Sequence, residues 1–374
     1  MARNQFIDNL RGVSVLGVSL FHVFLIWNNL NIYVWKTSSD LSWFSDFFLN
    51  FGHYGVDIFF TLSGFLIAQS LSNNSDIKYF YVKRFVRIFP IYYSMYFLNI
   101  LMFLAASGEM SKSIGLEISY NWHIENMFYY LGFLASYRPH FGPDFVGHFW
   151  SLAVEEHFYL LFPGLLLVFK KRIGPISIIC FLALIGWRGI VCFTDEEVFY
   201  NVIYHNSHFR MAGIMMGVIL FYYFDWFKKP ILLFGFLTSA TIFYWFYDSL
   251  GPGQSYSSET AELSMIMTEW LKPFVPSLGT MFLVSMCYDF KSKVRFLRIN
   301  EFIGKASLSF YVMSYIVNMF FSAVFTAGPV NFYLYFSLVI FFTFLFSWLS
   351  YLFFEKWLYL KVTRSDFARS RRSY

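Results

Sequence analysis

"FIDNLRGVSVLGVSLFHVFLIW" (residues 6–27) is long and apolar enough to cross about 30 Å of hydrocarbon as a helix, yet it carries Arg11 near its start and His22 near its middle. An ionisable group at such depth is costly unless it faces a polar cavity or a partner. Eleven residues at about 100° each make about three turns plus 20°, so Arg11 and His22 share one face of the helix, about 16 Å apart along its axis. An arginine reaching headgroups and a histidine bonded between helices would explain each residue alone. A shared track asks whether neighbouring segments supply complementary groups.

The same composition extends along the chain. Of its 374 residues, 57% are hydrophobic and only 14% charged, with a mean hydropathy of +0.52, whereas a soluble domain is about a quarter charged. Ten apolar runs are expected to span a bilayer: 10–30, 52–71, 88–106, 150–169, 175–193, 208–224, 231–247, 272–289, 302–325 and 332–354. The fold expected is all-α and polytopic. A shorter apolar patch, 127–136, is re-entrant or interfacial by length. The first span lacks a small-residue cleavage site and is expected to be retained.

Basic residues orient these spans, because loops rich in Lys and Arg stay cytoplasmic. With the N-terminus inside, 22 of the 28 basic residues fall in cytoplasmic segments, and both termini are expected there. Residues 1–360 read as one transmembrane domain and 361–374 as a basic cytoplasmic tail. The net charge of +5 is accounted for by anionic headgroups and calls for no nucleic acid. Cys180, Cys192 and Cys287 form no CxxC pair, and no phosphate loop, dinucleotide fingerprint or fixed-period repeat is present.

Three further stretches carry polar groups into the spans. In "GHYGVDIFFTLSGFLIA" (52–68), Asp57 enters early, and Ser63-Gly64 interrupt the run and let a backbone or a ligand approach. In "YFYVKRFVRIFPIYY" (79–93), Arg84 and Arg87 stand three apart at the cytoplasmic mouth, and Pro90 is expected to bend or end the helix. Guanidinium groups suit phosphate oxygens, and basic flanking of a span accounts for the pair equally well. In "HFWSLAVEEHFYLLFP" (148–163), Glu155 and Glu156 adjoin His157, and Ser151, Glu155 and Tyr159 form a polar stripe at i, i+4, i+8.

These motifs, in this order and at these intervals, closely resemble the acyltransferase family 3 integral-membrane O-acyltransferases. The stretches carrying the resemblance are the R-x10-H pair, GVDIFFTLSGFLI, the R-x-x-R-I-x-P run and WSLAVEEHFYLLFP. "HFRMAGIMMGVIL" (208–220), "IGKASLSFYVMSYIV" (303–317) and "YLFFEKWL" (351–358) are similar to the family's weaker C-terminal patterns. The resemblance implies a multi-pass protein of the bacterial cytoplasmic membrane that takes an acyl group, usually acetyl, from cytoplasmic acyl-CoA to a hydroxyl of a lipid-linked or cell-surface glycan. Some relatives add an extracytoplasmic hydrolase-like domain, and none is read in this sequence. Where many relatives have a histidine after the S-x-Y of the ninth span, this chain has Ser314.

The chemistry of the residues agrees with that implication. Phosphates of the donor call for Arg11, Arg84 and Arg87, with Ser63 and Gly64 allowing close approach. His22 supplies a proton acceptor near neutrality, oriented by a carboxylate, whether Asp57, Glu155 or Glu156. An acyl-histidine route is equally open to imidazole. Trp150, Tyr159 and Arg210 are candidates for contact with the acceptor. The aromatic loop 107–149, with Trp122, His123, Tyr129, Tyr130, Tyr137, Arg138 and His140, reads as an interfacial belt or a sugar-binding face. His205 and His208 lack a third ligand, so no metal is expected, and Asp195-Glu196-Glu197 reads as a solvated outer face. The rival reading from another class is a transporter or flippase using the Arg, His and Glu cluster for protons or an anion; a non-catalytic glycolipid-binding protein is a third. Oligomeric state has no legible signal.

Overall fold

The computed structural model describes residues 4–29, 39–73, 76–106, 120–138, 145–194, 199–230, 270–290, 295–325 and 331–358, with isolated positions 233, 234, 237, 360 and 361. Among these residues every regular element is a helix. In chain order they are α1 (Gln5–Asn29), α2 (Ser39–Phe51), α3 (Gly55–Asn73), α4 (Ile77–Ala106), α5 (Tyr120–Leu131), α6 (Phe149–Phe169), α7 (Ile173–Thr194), α8 (Phe199–His205), α9 (Ser207–Tyr222), α10 (Phe274–Cys287), α11 (Arg295–Lys305), α12 (Ser307–Phe325) and α13 (Phe332–Ser350). A single turn, Phe224–Phe227, follows α9, and a π-helical turn, Tyr351–Trp357, continues α13.

Five stretches of described helix are long and apolar enough to cross a membrane: Gln5–Asn28, Trp43–Asn73, Phe149–Phe193, Ser307–Phe325 and Phe332–Trp357. The third is 45 residues long, roughly twice the length one crossing requires. It breaks at the Lys170–Arg172 turn, where Lys170 takes a φ of 40°. Two expected boundaries differ. Pro90 does not end its helix: α4 runs through it, because rings on the following turn lock the segment. Tyr92 stacks on Phe133 at 4.1 Å and donates to the Tyr130 carbonyl at 3.0 Å, and Tyr93 donates to the Leu131 carbonyl at 2.8 Å. The run 302–325 is two helices, α11 and α12, parted at Ala306. The expected span 231–247 lies almost wholly outside the described residues.

The chain forms two compact units. The first comprises residues 1–7, 56–75 and 150–294. In it α3 and α9 meet backbone to backbone. A Cβ on Gly64 would strike the carbonyl oxygen of Ile214, and one on Gly217 that of Thr61. Gly213 and Gly217 give α9 the small-xxx-small spacing that permits such approach in lipid, where helices associate by close packing. Gly64→Ala is therefore expected to force these backbones apart, at about 1–3 kcal/mol of stability, read as a lowered thermal midpoint in detergent. An unchanged midpoint would show that the contact is not tight.

The second unit comprises residues 8–55, 76–149 and 295–374. Here α1 is gripped along its length. A Cβ on Gly52 would come within 2.6 Å of the Gly17 carbonyl oxygen, and one on Gly304 of α11 would strike that of Asp8. Asn300 donates to the Asn9 carbonyl at 2.7 Å. At the far end Phe24 and Trp27 join Phe332 and Tyr335 in a buried aromatic cluster. These contacts set the rotation of α1, and with it the direction of the Arg11 and His22 face.

Candidate active site

In the second unit α1 carries Arg11 and His22 as their spacing requires. Arg11 is buried and donates from Nη2 to Ser307 Oγ at 2.8 Å, at the first residue of α12. Three turns on, His22 meets the edge of Tyr315, ring centroids 4.8 Å apart. Its Nδ1 is enclosed and has no hydrogen-bond partner among the described residues. Tyr315 also touches a second imidazole: His148, buried just before α6, lies 4.7 Å away. Tyr311, one turn earlier on α12, holds that segment by donating to the His148 carbonyl at 2.9 Å. Two histidines thus meet one tyrosine. His148 was not among the residues expected from the sequence; it opens the quoted 148–163 stretch, but no spacing within one helix could link it to His22.

The R-x-x-R pair is drawn into the same unit by a carboxylate that the sequence reading also passed over. Arg87 Nε lies 3.4 Å from Glu355 Oε2. Glu355 sits in the π-helical turn, where the widened helix directs it to Ser309: its Oε1 accepts from the Ser309 amide at 3.1 Å and hydroxyl at 2.7 Å. Such π turns recur at functional sites. Arg84 stacks over Phe80 at 5.5 Å. The belt reading of the outer aromatics does not describe all of them. Tyr130 is buried and stacks on Tyr96 at 5.1 Å, and Arg138 lies over its ring at 5.4 Å. The side chains of Trp122 and His123, with His140 and Asp195-Glu196-Glu197, lie outside the description.

The first unit gathers the other expected residues into two constellations. Asp57 Oδ1 and Arg210 Nη2 form an ion pair at 2.8 Å, with side chains 5% and 3% exposed. Tyr204, Trp150 and Phe60 face the guanidinium at 5.0, 5.4 and 5.6 Å, and cation–π attraction is strong in such a desolvated setting. His205 packs its edge on Trp150 at 5.0 Å. On the next turns of α3, Ser63 Oγ lies 2.8 Å from the Tyr159 hydroxyl, which donates to Glu155 Oε2 at 2.9 Å. The i, i+4 stripe on α6 thus becomes a serine–tyrosine–glutamate chain. Glu155 Oε1 is buried with no partner among the described residues. Half-buried Glu156 lies about 100° round the helix, next to His157, whose Nδ1 is 2.7 Å from Ser207 Oγ. Gly64, next to Ser63, faces the backbone of α9 as described above. Among the described residues no three His, Cys, Asp or Glu side chains are grouped to hold a metal.

A family model described as an acyltransferase domain matches residues 4–352. The chain belongs to acyltransferase family 3. Among its relatives, the O-acetyltransferase OatA of Staphylococcus aureus (strain MRSA252) is 24% identical over 404 aligned residues, 97% of this chain and 60% of its own length. The peptidoglycan O-acetyltransferase OatA of Listeria monocytogenes serovar 1/2a is 28% identical over 228 residues, 57% of this chain and 33% of its own length. A further Staphylococcus aureus protein (strain COL) is 26% identical over 93% of this chain and 56% of its length. The family 3 chain described here thus spans little more than half of the curated relatives it matches. No solved structure matches it.

Proposed function

We propose that this family 3 chain is a multi-pass membrane O-acyltransferase, which moves an acetyl group from cytoplasmic acetyl-CoA to a hydroxyl of a cell-surface or lipid-linked glycan, peptidoglycan being the acceptor named for the Listeria relative. The observation that carries this reading is the α1 track: a histidine with an enclosed, unpartnered Nδ1, three turns from a buried arginine on the same face. In the reaction, His22 takes the proton of the acceptor hydroxyl as its oxygen attacks the thioester carbonyl. The C–O bond forms, the C–S bond breaks, and the leaving thiolate takes that proton from the imidazolium. A carboxylate would orient that ring and stabilise the imidazolium, and Glu155, whose Oε1 is buried with no partner among the described residues, would accept a hydrogen bond from an acceptor hydroxyl. Trp150, Tyr159 and Arg210 would contact the acceptor, and Ser63, 2.8 Å from the Tyr159 hydroxyl, would stand where the donor meets it, with Gly64 beside it taken up by the α9 backbone. Membership in the family disfavours the transporter reading.

The test is transfer of labelled acetyl from acetyl-CoA to cell-wall glycan by membranes containing the protein, read as one added acetyl by mass spectrometry. Movement of an unmodified solute without label in glycan would sink the proposal. Arg84 and Arg87 would hold the donor's phosphates, with Glu355 keeping Arg87 in place. Arg84→Ala and Arg87→Ala are expected to weaken acyl-CoA binding about tenfold each, the scale of one charge-assisted contact, with acceptor affinity unchanged. Titration of the purified protein would show it, and unaltered donor affinity would leave these residues to topology alone.

Ten spans are proposed from the apolar runs, and the 22 of 28 basic residues that then fall on one side support placing both termini in the cytoplasm. The Arg11 end of the track then opens to the cytosol and the 107–149 loop faces outward. Single cysteines at Ser113 and Ser370, in a background without the native three, are expected to react with an impermeant reagent in intact cells at Ser113 only. The reverse pattern would invert the topology and remove the cytosolic donor.

A further inference from the structure

Within the second unit α1, α12 and α13 enclose a cavity of about 240 Å³. Its walls are mainly Leu16, Leu20 and Val23 of α1, Phe310 of α12, and Val339 and Phe344 of α13. The α1 wall lies about a third of a turn round from His22. Three hydroxyl-bearing residues also line it, and none makes it polar. Ser19 returns its hydroxyl to the Val15 carbonyl at 2.7 Å, and Ser314 to the Tyr311 carbonyl at 3.2 Å. Thr343 is 3% exposed, and its Oγ1 is enclosed with no hydrogen-bond partner among the described residues, its surface turned away from the cavity space. An occupant therefore meets carbon.

Depth and lining identify the occupant. Leu16–Val23 lie at the centre of the 25-residue α1, and Val339–Phe344 near the centre of the 19-residue α13, the level of the bilayer hydrocarbon. On the outer side Phe344 is exposed, and Phe341 and Phe346 beside it extend an apolar surface. Water does not enter a dry apolar cavity, one of about 150 Å³ already admits benzene, and leaving such space empty is destabilising. We infer that this cavity holds one aliphatic chain of a membrane phospholipid, entering from the α13 side. The chain backs the α1–α12 contact at Ser314, one residue before the tyrosine that meets His22. Occupancy is a matter of lipid binding, so its failure and that of the acyl-transfer reading can be told apart.

The test uses the full chain in phosphatidylethanolamine–phosphatidylglycerol vesicles, with phosphatidylglycerol bearing a diazirine midway along one tail. After irradiation, adducts are expected on α1 peptides containing Leu16–Val23 and on α13 peptides containing Val339–Phe344. Val339→Phe fills the cavity and is expected to cut these adducts about tenfold or more, leaving outer-face adducts at Phe353 unchanged. Leu20→Phe is the second filling variant, should the first fail to insert. Thr343→Val keeps the shape without the hydroxyl, and labelling is expected to persist. Loss of labelling in Thr343→Val would mean a polar occupant, and displacement by short-chain acyl-CoA would assign the cavity to the donor. Either result, or adducts confined to the outer face, overturns the assignment.

Discussion

Replacing His22 by alanine is expected to lower acetyl transfer about 100-fold to 10,000-fold, the range for loss of a general base, while the protein still inserts and accumulates. The second half of that expectation comes from the site's geometry. His22 meets Tyr315 by its ring and leaves Nδ1 without a partner among the described residues, so truncation orphans no known hydrogen bond. His22→Gln keeps polarity and removes basicity, and it should fall equally far. Near-wild-type transfer in either variant would show that His22 is not the base. His148→Ala separates the two imidazoles: His148 also touches Tyr315, and a role in holding that ring predicts a smaller loss of rate than His22→Ala, with a lowered thermal midpoint.

The largest expected effect on stability falls at the Asp57–Arg210 pair. Both side chains are almost wholly buried, and removing one partner leaves an uncompensated charge in a medium of low dielectric. Asp57→Ala or Arg210→Met alone should cost about 3–5 kcal/mol, whereas removing both charges together is close to neutral. Asp57→Leu combined with Arg210→Met is therefore expected to recover most of the unfolding midpoint in detergent, and a double variant no better than either single would show that the pair is not the cause. The recovered double variant also separates fold from chemistry. Restored folding with transfer still lost would place Asp57 or Arg210 in the reaction, and restored transfer would make the pair structural.

Much of the architecture was legible along the chain because the bilayer imposes it locally. A span must satisfy its own backbone hydrogen bonds within one apolar helix, so α1, α3, α6, α12 and α13 stand in the sequence as runs of the required length, and 100° per residue places Arg11 with His22 and Glu155 with Tyr159. Family membership was equally legible, since R-x10-H and WSLAVEEHFYLLFP are contiguous strings. What the tertiary structure alone decided is partnership between segments distant in the chain. Asp57 with Arg210, Ser63 with Tyr159, Arg11 with Ser307, and Glu355 with both Arg87 and Ser309 join helices whose relative rotation depends on glycines at backbone contacts such as Gly64 and Gly304. Periodicity records which face of a helix is polar, and it carries no information on which other helix meets that face. That is why His148 and Glu355 stood within quoted stretches and were still passed over as site residues, while Arg11 and His22, sharing one helix, were found.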